Sequence, residues 1–150
     1  MRVFSSLDEL VAAKGEHLGH SEWHTVTQEQ VDTFADATGD HQWIHVDVER
    51  AKDGPFGTTI AHGYLTLSML PMLGAQVYRV EGVKMGINYG SNKVRFPNTV
   101  PVGSRIRSGI ELADVIDVAQ GKQLVMTHVV EIEGMKKPAC VAQTVSLIIP

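Results

Sequence analysis

A single cysteine, Cys140, occurs in the whole chain. One thiol excludes an internal disulfide and any zinc ribbon built on paired cysteines. Its setting, the apolar strand-like run KPACVAQTV, reads as a buried, inert thiol rather than a nucleophile. No apolar run reaches the length of a membrane span, and Asp8 and Glu9 interrupt the N-terminal stretch where a signal peptide would carry its apolar segment. There is no basic excess: 13 Lys and Arg face 17 Asp and Glu, for a formal charge of −4. That balance argues against a nucleic-acid partner. Repeats, low-complexity segments and linkers are also missing. What remains is an ordinary globular composition, 43% hydrophobic and 20% charged over 150 residues. It predicts one cytoplasmic domain spanning residues 1–150, with no membrane partner.

The first half of the chain carries helical punctuation. Ser6 and Glu9 form an S-x-x-E capping box before LVAA, with Gly15 as a stop. HSEWHTV has strand character. Thr27 and Gln30 form a second box, after which Val31, Phe34 and Ala35 recur at helical spacing until Gly39. DGPFGTT, residues 53–59, reads as loop. From Tyr64 to Val77 the chain is apolar almost all round, which predicts a helix buried at the centre of the fold, kinked or broken at Pro71.

From Lys84 onward the period becomes two. Ile106, Ile110, Leu112, Ile116 and Val118 fall on one parity, with Arg105, Arg107, Glu111 and Asp117 on the other. Leu124, Met126, Val130 and Ile132 repeat the pattern after a QGK turn, and ACVAQTVSLII follows the turn EGMKKP. Short connections make these strands antiparallel neighbours. The class is α+β, an antiparallel sheet wrapped around a long central helix.

ATGDHQWIHVD, residues 37–47, gathers Asp40, His41, His45 and Asp47 just past the predicted end of a helix. WIHVDV alternates like extended chain, which would hold His41 and His45 about 13 Å apart by strand rise and works against a shared metal ion. A carboxylate and an imidazole in an apolar setting can instead hold one water between them and move its protons. Asp40 and His45 suit those roles if the chain curls; the bland alternative is a surface turn in which Asp40 caps and His45 is solvated.

Gly63, in TTIAHGYL, falls at the start of the apolar helix. A free N–H there could donate to a thioester carbonyl oxygen as negative charge develops on it, and a residue without Cβ permits close approach. The alternative is a glycine needed for close packing. His62 reads as a packing or hydrogen-bonding residue rather than a second catalytic imidazole. Lys84, Lys93 and Arg95 are candidates for phosphate contacts at a pocket mouth, or simply solvated strand ends.

FADATGDHQWIHVD followed by GPFGTTIAHGYLTLSML resembles the hydratase-2 motif of the MaoC-like dehydratases, which include the (R)-specific enoyl-CoA hydratases. INYGSNKVRFPNTVPVGSRIR is similar to the following strand pair in the actinobacterial, NodN-like branch. The resemblance covers residues 20–149. It implies the hotdog fold, with five or six antiparallel strands around one long helix, and a homodimer formed by pairing sheets edge to edge. It implies Asp40 and His45 as the catalytic pair and Gly63 as the group that polarises the thioester. It further implies an acyl-CoA substrate touching Ile60, His62, Gly86, Asn88, Tyr89, Lys93 and Arg95. Neither cofactor nor metal is implied. Leu67, Met69, Leu70 and the loop around Phe56 would shape the acyl pocket.

Two departures stand out. Most relatives read GDxNPxH where this chain has Gln42 and Trp43, and many carry a serine near the position of Pro71, for which Ser68 is the available substitute. The resemblance therefore predicts an (R)-specific enoyl-CoA hydratase. Alternatives are a non-catalytic acyl-CoA-binding or heterodimer subunit, and an acyl-CoA thioesterase.

Overall fold

Local signals set the first elements in the computed structural model, which describes residues 1–150. Strand β1 (Arg2–Phe4) leads into helix α1 (Leu7–Ala12), whose Ser6 cap accepts the Glu9 N–H at 3.2 Å. Short strands β2 (His17–His20) and β3 (His24–Thr25) precede helix α2 (Gln28–Thr38). Thr27 caps α2 through the Gln30 N–H, and Gly39 closes it in the left-handed conformation, φ 79°, which glycine adopts without steric cost.

Two helical turns follow, α3 (Trp43–Val46) and α4 (Val48–Lys52). The extended chain expected for WIHVDV is thus not what forms. Asp47 ends α3 and caps α4, accepting the Arg50 N–H at 3.0 Å. Trp43 starts α3 and lies under the Arg50 guanidinium, 4.2 Å from carbon to ring centroid. Alternation in so short a window does not separate a strand from two linked helical turns.

The apolar segment forms α5 (Gly63–Ser68) and α6 (Leu70–Gly74), divided at Met69. Pro71 explains the division, because it has no N–H to continue the ladder from α5. One face, Leu65, Thr66, Met69, Leu70 and Leu73, is buried. The other is not, which corrects the expectation of burial all round: Tyr64 is 71% exposed and Met72 40%, with Ser68 and Pro71 also open. These positions form one stripe at helical spacing.

Strand β4 (Tyr78–Val80) pairs with β1 in parallel, a contact absent from the local pattern. The main antiparallel sheet then uses β5 (Met85–Arg95), β6 (Arg105–Val118), β7 (Gly121–Ile132) and β8 (Cys140–Ile149) in the order β2-β6-β7-β8-β5, with β3 also on β6. A bulge between Leu112 and Asp114 reverses the alternation beyond it. Val115 therefore packs against the core while Ile116 is 44% exposed, contrary to the simple parity.

The sheet and α5–α6 bury Val26, Val31, Leu65, Leu73, Ile106, Val130 and Ile132 in one cluster. A second joins Phe4, Leu10, Val77, Ile110, Leu112, Leu124 and Met126. Each such side chain contributes about 1.5–3 kcal/mol by leaving water. Cys140 is fully buried in the first cluster, and burial pushes its thiol up to about 11, so it is protonated and unreactive at neutral pH.

Candidate active site

Gly39 ends α2 and turns the chain so that Asp40 leaves the helix axis, and α3 brings His45 back beneath it. The loop after α4 then delivers Ile60, Ala61 and His62 alongside. Ile60 N–H donates to Ile44 O at 3.0 Å, locking this loop onto α3. As a result Asp40, His45 and His62 gather, with one nitrogen or oxygen atom of each within 4.8 Å of the others. His41 is outside the group; it is exposed and paired with Asp36 at 2.8 Å, which raises its pKa.

His45 is buried, and its Nδ1 lies 2.7 Å from the Ile60 carbonyl. A carbonyl only accepts, so Nδ1 carries the proton and Nε2 keeps a free lone pair. The site thus presents a neutral base of defined tautomer. Burial is the main reason that the His45 pKa is lowered; the Ile60 carbonyl and Asp40 oppose the shift, and His62 adds to it. Asp40 is half-exposed, its carboxylate accepting from the Gln42 N–H at 3.4 Å.

His62 is 2% exposed. Its ring stacks on His45 with centroids 3.8 Å apart, and meets Phe34 at 5.0 Å. Its Nε2 donates to the Asp40 carbonyl at 2.9 Å. Because the two imidazoles are stacked, an ion about 2.0 Å from both would sit outside both ring planes. His62 Nε2 is also committed as a donor. The set is therefore shaped for proton transfer rather than for coordination.

Gly63 opens α5, so its N–H lies outside the helix's own hydrogen-bond ladder. An added Cβ there would meet the Phe96 ring at 3.0 Å, so Phe96, 42% exposed, flanks the glycine. Ile60 is buried and acts here through its backbone carbonyl. Lys93 and Arg95 occupy the end of β5 that leads to Phe96. Gly86, Asn88 and Tyr89 lie on its other half, with Asn88 about 26 Å from Phe96 by strand rise, so one chain does not bring them to the group. Ser68 donates to the Tyr64 carbonyl at 2.7 Å on the exposed stripe, while Met69 and Leu70 are packed into the core.

Sequence reasoning missed Gln28 and Phe96. Gln28 donates to the His45 carbonyl at 2.8 Å and accepts from the Thr59 hydroxyl at 2.6 Å, tying α2 to α3 and to the loop before α5. At the first position of a helix it carries no local signal of that role. The Gln42–Trp43 departure also gains an account. Asn-Pro at these positions would be a cap followed by the first helical residue, where each is favoured. Here Gln42 makes no capping bond, and Trp43 holds the turn by packing against Gly54, where a Cβ would lie 3.0 Å from its ring.

Comparison with known proteins agrees with this architecture. Residues 9–135 match the family described as the MaoC like domain. The chain is 60% identical over 146 residues to the 3-hydroxyacyl-thioester dehydratase Z of Mycobacterium tuberculosis, covering 97% of each. It is 44% identical to nodulation protein N of Rhizobium leguminosarum bv. viciae, over 95% of this chain and 91% of that one. The solved (R)-hydratase from A. caviae superposes with a TM-score of 0.73 at 21% identity, over 90% and 97% of the chains, a likeness of fold. The sheet wrapped on α5–α6 is accordingly the hotdog fold, and the chain belongs to the MaoC-like dehydratase family of hydro-lyases.

Proposed function

We propose that this protein is an (R)-specific enoyl-CoA hydratase. It adds water reversibly and syn across trans-2-enoyl-CoA to give (R)-3-hydroxyacyl-CoA. Residues 1–150 form a single catalytic hotdog domain that works in the cytoplasm as a homodimer. The relative named for dehydrating 3-hydroxyacyl thioesters supports the coarser chemistry. The observation that carries the finer reading is the tautomer of His45: the Ile60 carbonyl takes its Nδ1–H, which leaves Nε2 as an acceptor on a ring gathered with Asp40 and with the residue that precedes Gly63.

In this mechanism a water is held between the Asp40 carboxylate and His45 Nε2. His45 takes one proton as the oxygen bonds to C3, and the electron pair of the C2–C3 double bond moves toward the thioester carbonyl. The Gly63 N–H stabilises that enolate-like oxygen, a contribution of about 3 kcal/mol for one such donor. The imidazolium, beside the Asp40 carboxylate, returns its proton to C2 on the same face. Ile60 orients the base through its carbonyl, and Phe96 and His62 wall the approach.

Homodimerisation is supported by β5. Its outer edge has no strand partner, and nearly all of its 11 residues are exposed, including Met85, Ile87 and Tyr89. Such an edge invites a further strand. Two-fold pairing of β5 with its copy would set the partner's Gly86, the partner's Asn88 and the partner's Tyr89 beside the Phe96 end of the first chain. That arrangement joins residues otherwise separated along the strand. It leaves Lys93 and Arg95 beside the site for the CoA phosphates.

The test is an assay with crotonyl-CoA, following loss of the conjugated absorbance, product chirality and free CoA. The expected result is hydration to the (R)-alcohol without CoA release. Asp40→Asn and His45→Gln should each lose about 10²-fold or more while keeping the parent circular dichroism. Either variant working near the parent rate would overturn the assignment. CoA release at the turnover rate would indicate a thioesterase, and binding without absorbance loss a non-catalytic carrier.

A further inference from the structure

Resting on that reading, we propose that His62 is a positioning residue for Asp40, acting through its Nε2–H on the Asp40 backbone carbonyl. Asp40 follows the left-handed Gly39 and has a half-exposed side chain. Its carboxylate has one long bond, from the Gln42 N–H at 3.4 Å. The 2.9 Å bond from His62 is the short contact that ties Asp40 to the loop before α5. The 3.9 Å separation between His62 Nε2 and Asp40 Oδ2 is too long for a hydrogen bond. The anchor therefore acts on the backbone and leaves the carboxylate free to hold water.

The opposite nitrogen explains why this group is an imidazole rather than a simple ring. His62 Nδ1 is buried and has no hydrogen-bond partner. An unpaired buried acceptor costs stability. A phenyl ring could occupy the same space between Phe34 and His45 without that cost, so packing alone does not account for the residue. What phenylalanine could not supply is the N–H toward Asp40. His62 also stands next to Gly63 in the chain, so one residue links the water-binding acid to the thioester-binding amide.

Two variants of the full chain separate the roles. His62→Phe keeps an aromatic ring against His45 but removes the N–H. His62→Gln carries an N–H at a comparable distance from Cα but removes the ring. With crotonyl-CoA, His62→Phe should lose about tenfold or more in kcat, with KM within about threefold of the parent and a melting temperature no lower than the parent's. His62→Gln should recover at least about half of that loss on a logarithmic scale. A smaller loss in His62→Phe, a loss carried by KM, or a glutamine variant as impaired as the phenylalanine one would each overturn the proposal. If His62→Phe does not fold, nitrogen NMR of the parent's histidines decides: protonation of His62 at Nε2 supports the proposal, and protonation at Nδ1 instead overturns it. Asp40→Asn separates the two levels. If it is inactive while His62→Phe is fully active, only the positioning role falls; if it is active, the hydratase reading itself falls.

Discussion

The imidazoles of His45 and His62 lie face to face, with centroids 3.8 Å apart and planes inclined by 24°. Charging one ring beside the other, away from water, is unfavourable. The pair therefore favours a neutral His45 with Nε2 left as an acceptor, its Nδ1–H already used by Ile60.

That relationship predicts the acid limb of the activity profile. The proposed base, His45, must be neutral to take a proton, and burial lowers its pKa from the ordinary 6.5. Activity should persist as pH falls through 6.5 and decline only below it. The measurement is kcat/KM for crotonyl-CoA against pH, which reports groups of the free enzyme. A half-maximal point on the acid side above 6.5 would contradict the assignment.

His128 predicts a separate effect on stability. It is buried on the inner side of β7, hydrogen-bonded to Ser108, and burial lowers its pKa to about 4. The unfolded chain, with histidine near 6.5, binds more protons between these values, so folding stability falls as pH drops from 6.5 toward 4. Between pH 7 and pH 5 the loss from this residue should be about 2 kcal/mol. Urea denaturation at the two pH values, compared with His128→Leu, measures it; an equal pH dependence in both proteins would count against the effect.

Gly63→Ala should preserve the fold and damage catalysis. Its Cβ would sit 3.0 Å from Phe96 Cδ2, and that half-exposed ring can move. The shifted ring and the new methyl would then occupy the approach to the Gly63 N–H. The expected outcome is a kcat lowered about 10²-fold with thermal stability within about 1 kcal/mol of the parent. Unchanged turnover would remove Gly63 from the mechanism.

Gln42→Asn should stabilise the protein. Gln42 occupies the cap of α3 without making a capping bond, and the shorter asparagine can reach the free N–H groups of that turn. A gain of about 0.5–1 kcal/mol in chemical denaturation is expected. A loss would show that Gln42 serves the turn in another way.

Much of the fold was legible because its signals are local. Ser6 and Thr27 cap the helices they precede, and the alternation of Ile106, Ile110 and Leu112 marks a strand with one buried face. The same reasoning failed at WIHVDV, where four to six alternating residues suit an extended chain and a pair of helical turns equally well. It failed again beyond Leu112, where one extra residue in the bulge exchanged the roles of Val115 and Ile116. It also left one face of α5–α6 expected inside when Tyr64 and Met72 stand outside, because a lone sequence does not distinguish surface that packs within the chain from surface left open.

The sequence by itself determined the chemical parts: an acid and an imidazole five positions apart, a glycine at a helix start, a thiol in an apolar strand, and the caps and periodicities of the elements around them. Tertiary structure decided how those parts are placed. Asp40 is anchored by a residue 22 positions away and His45 is oriented by a carbonyl 15 positions away. These contacts exist only once the loop before α5 has docked on α3. Local propensities act within a turn or a hairpin, whereas the free nitrogen of His45, the bare acceptor of His62 and the open edge of β5 follow from which distant segments meet and which do not.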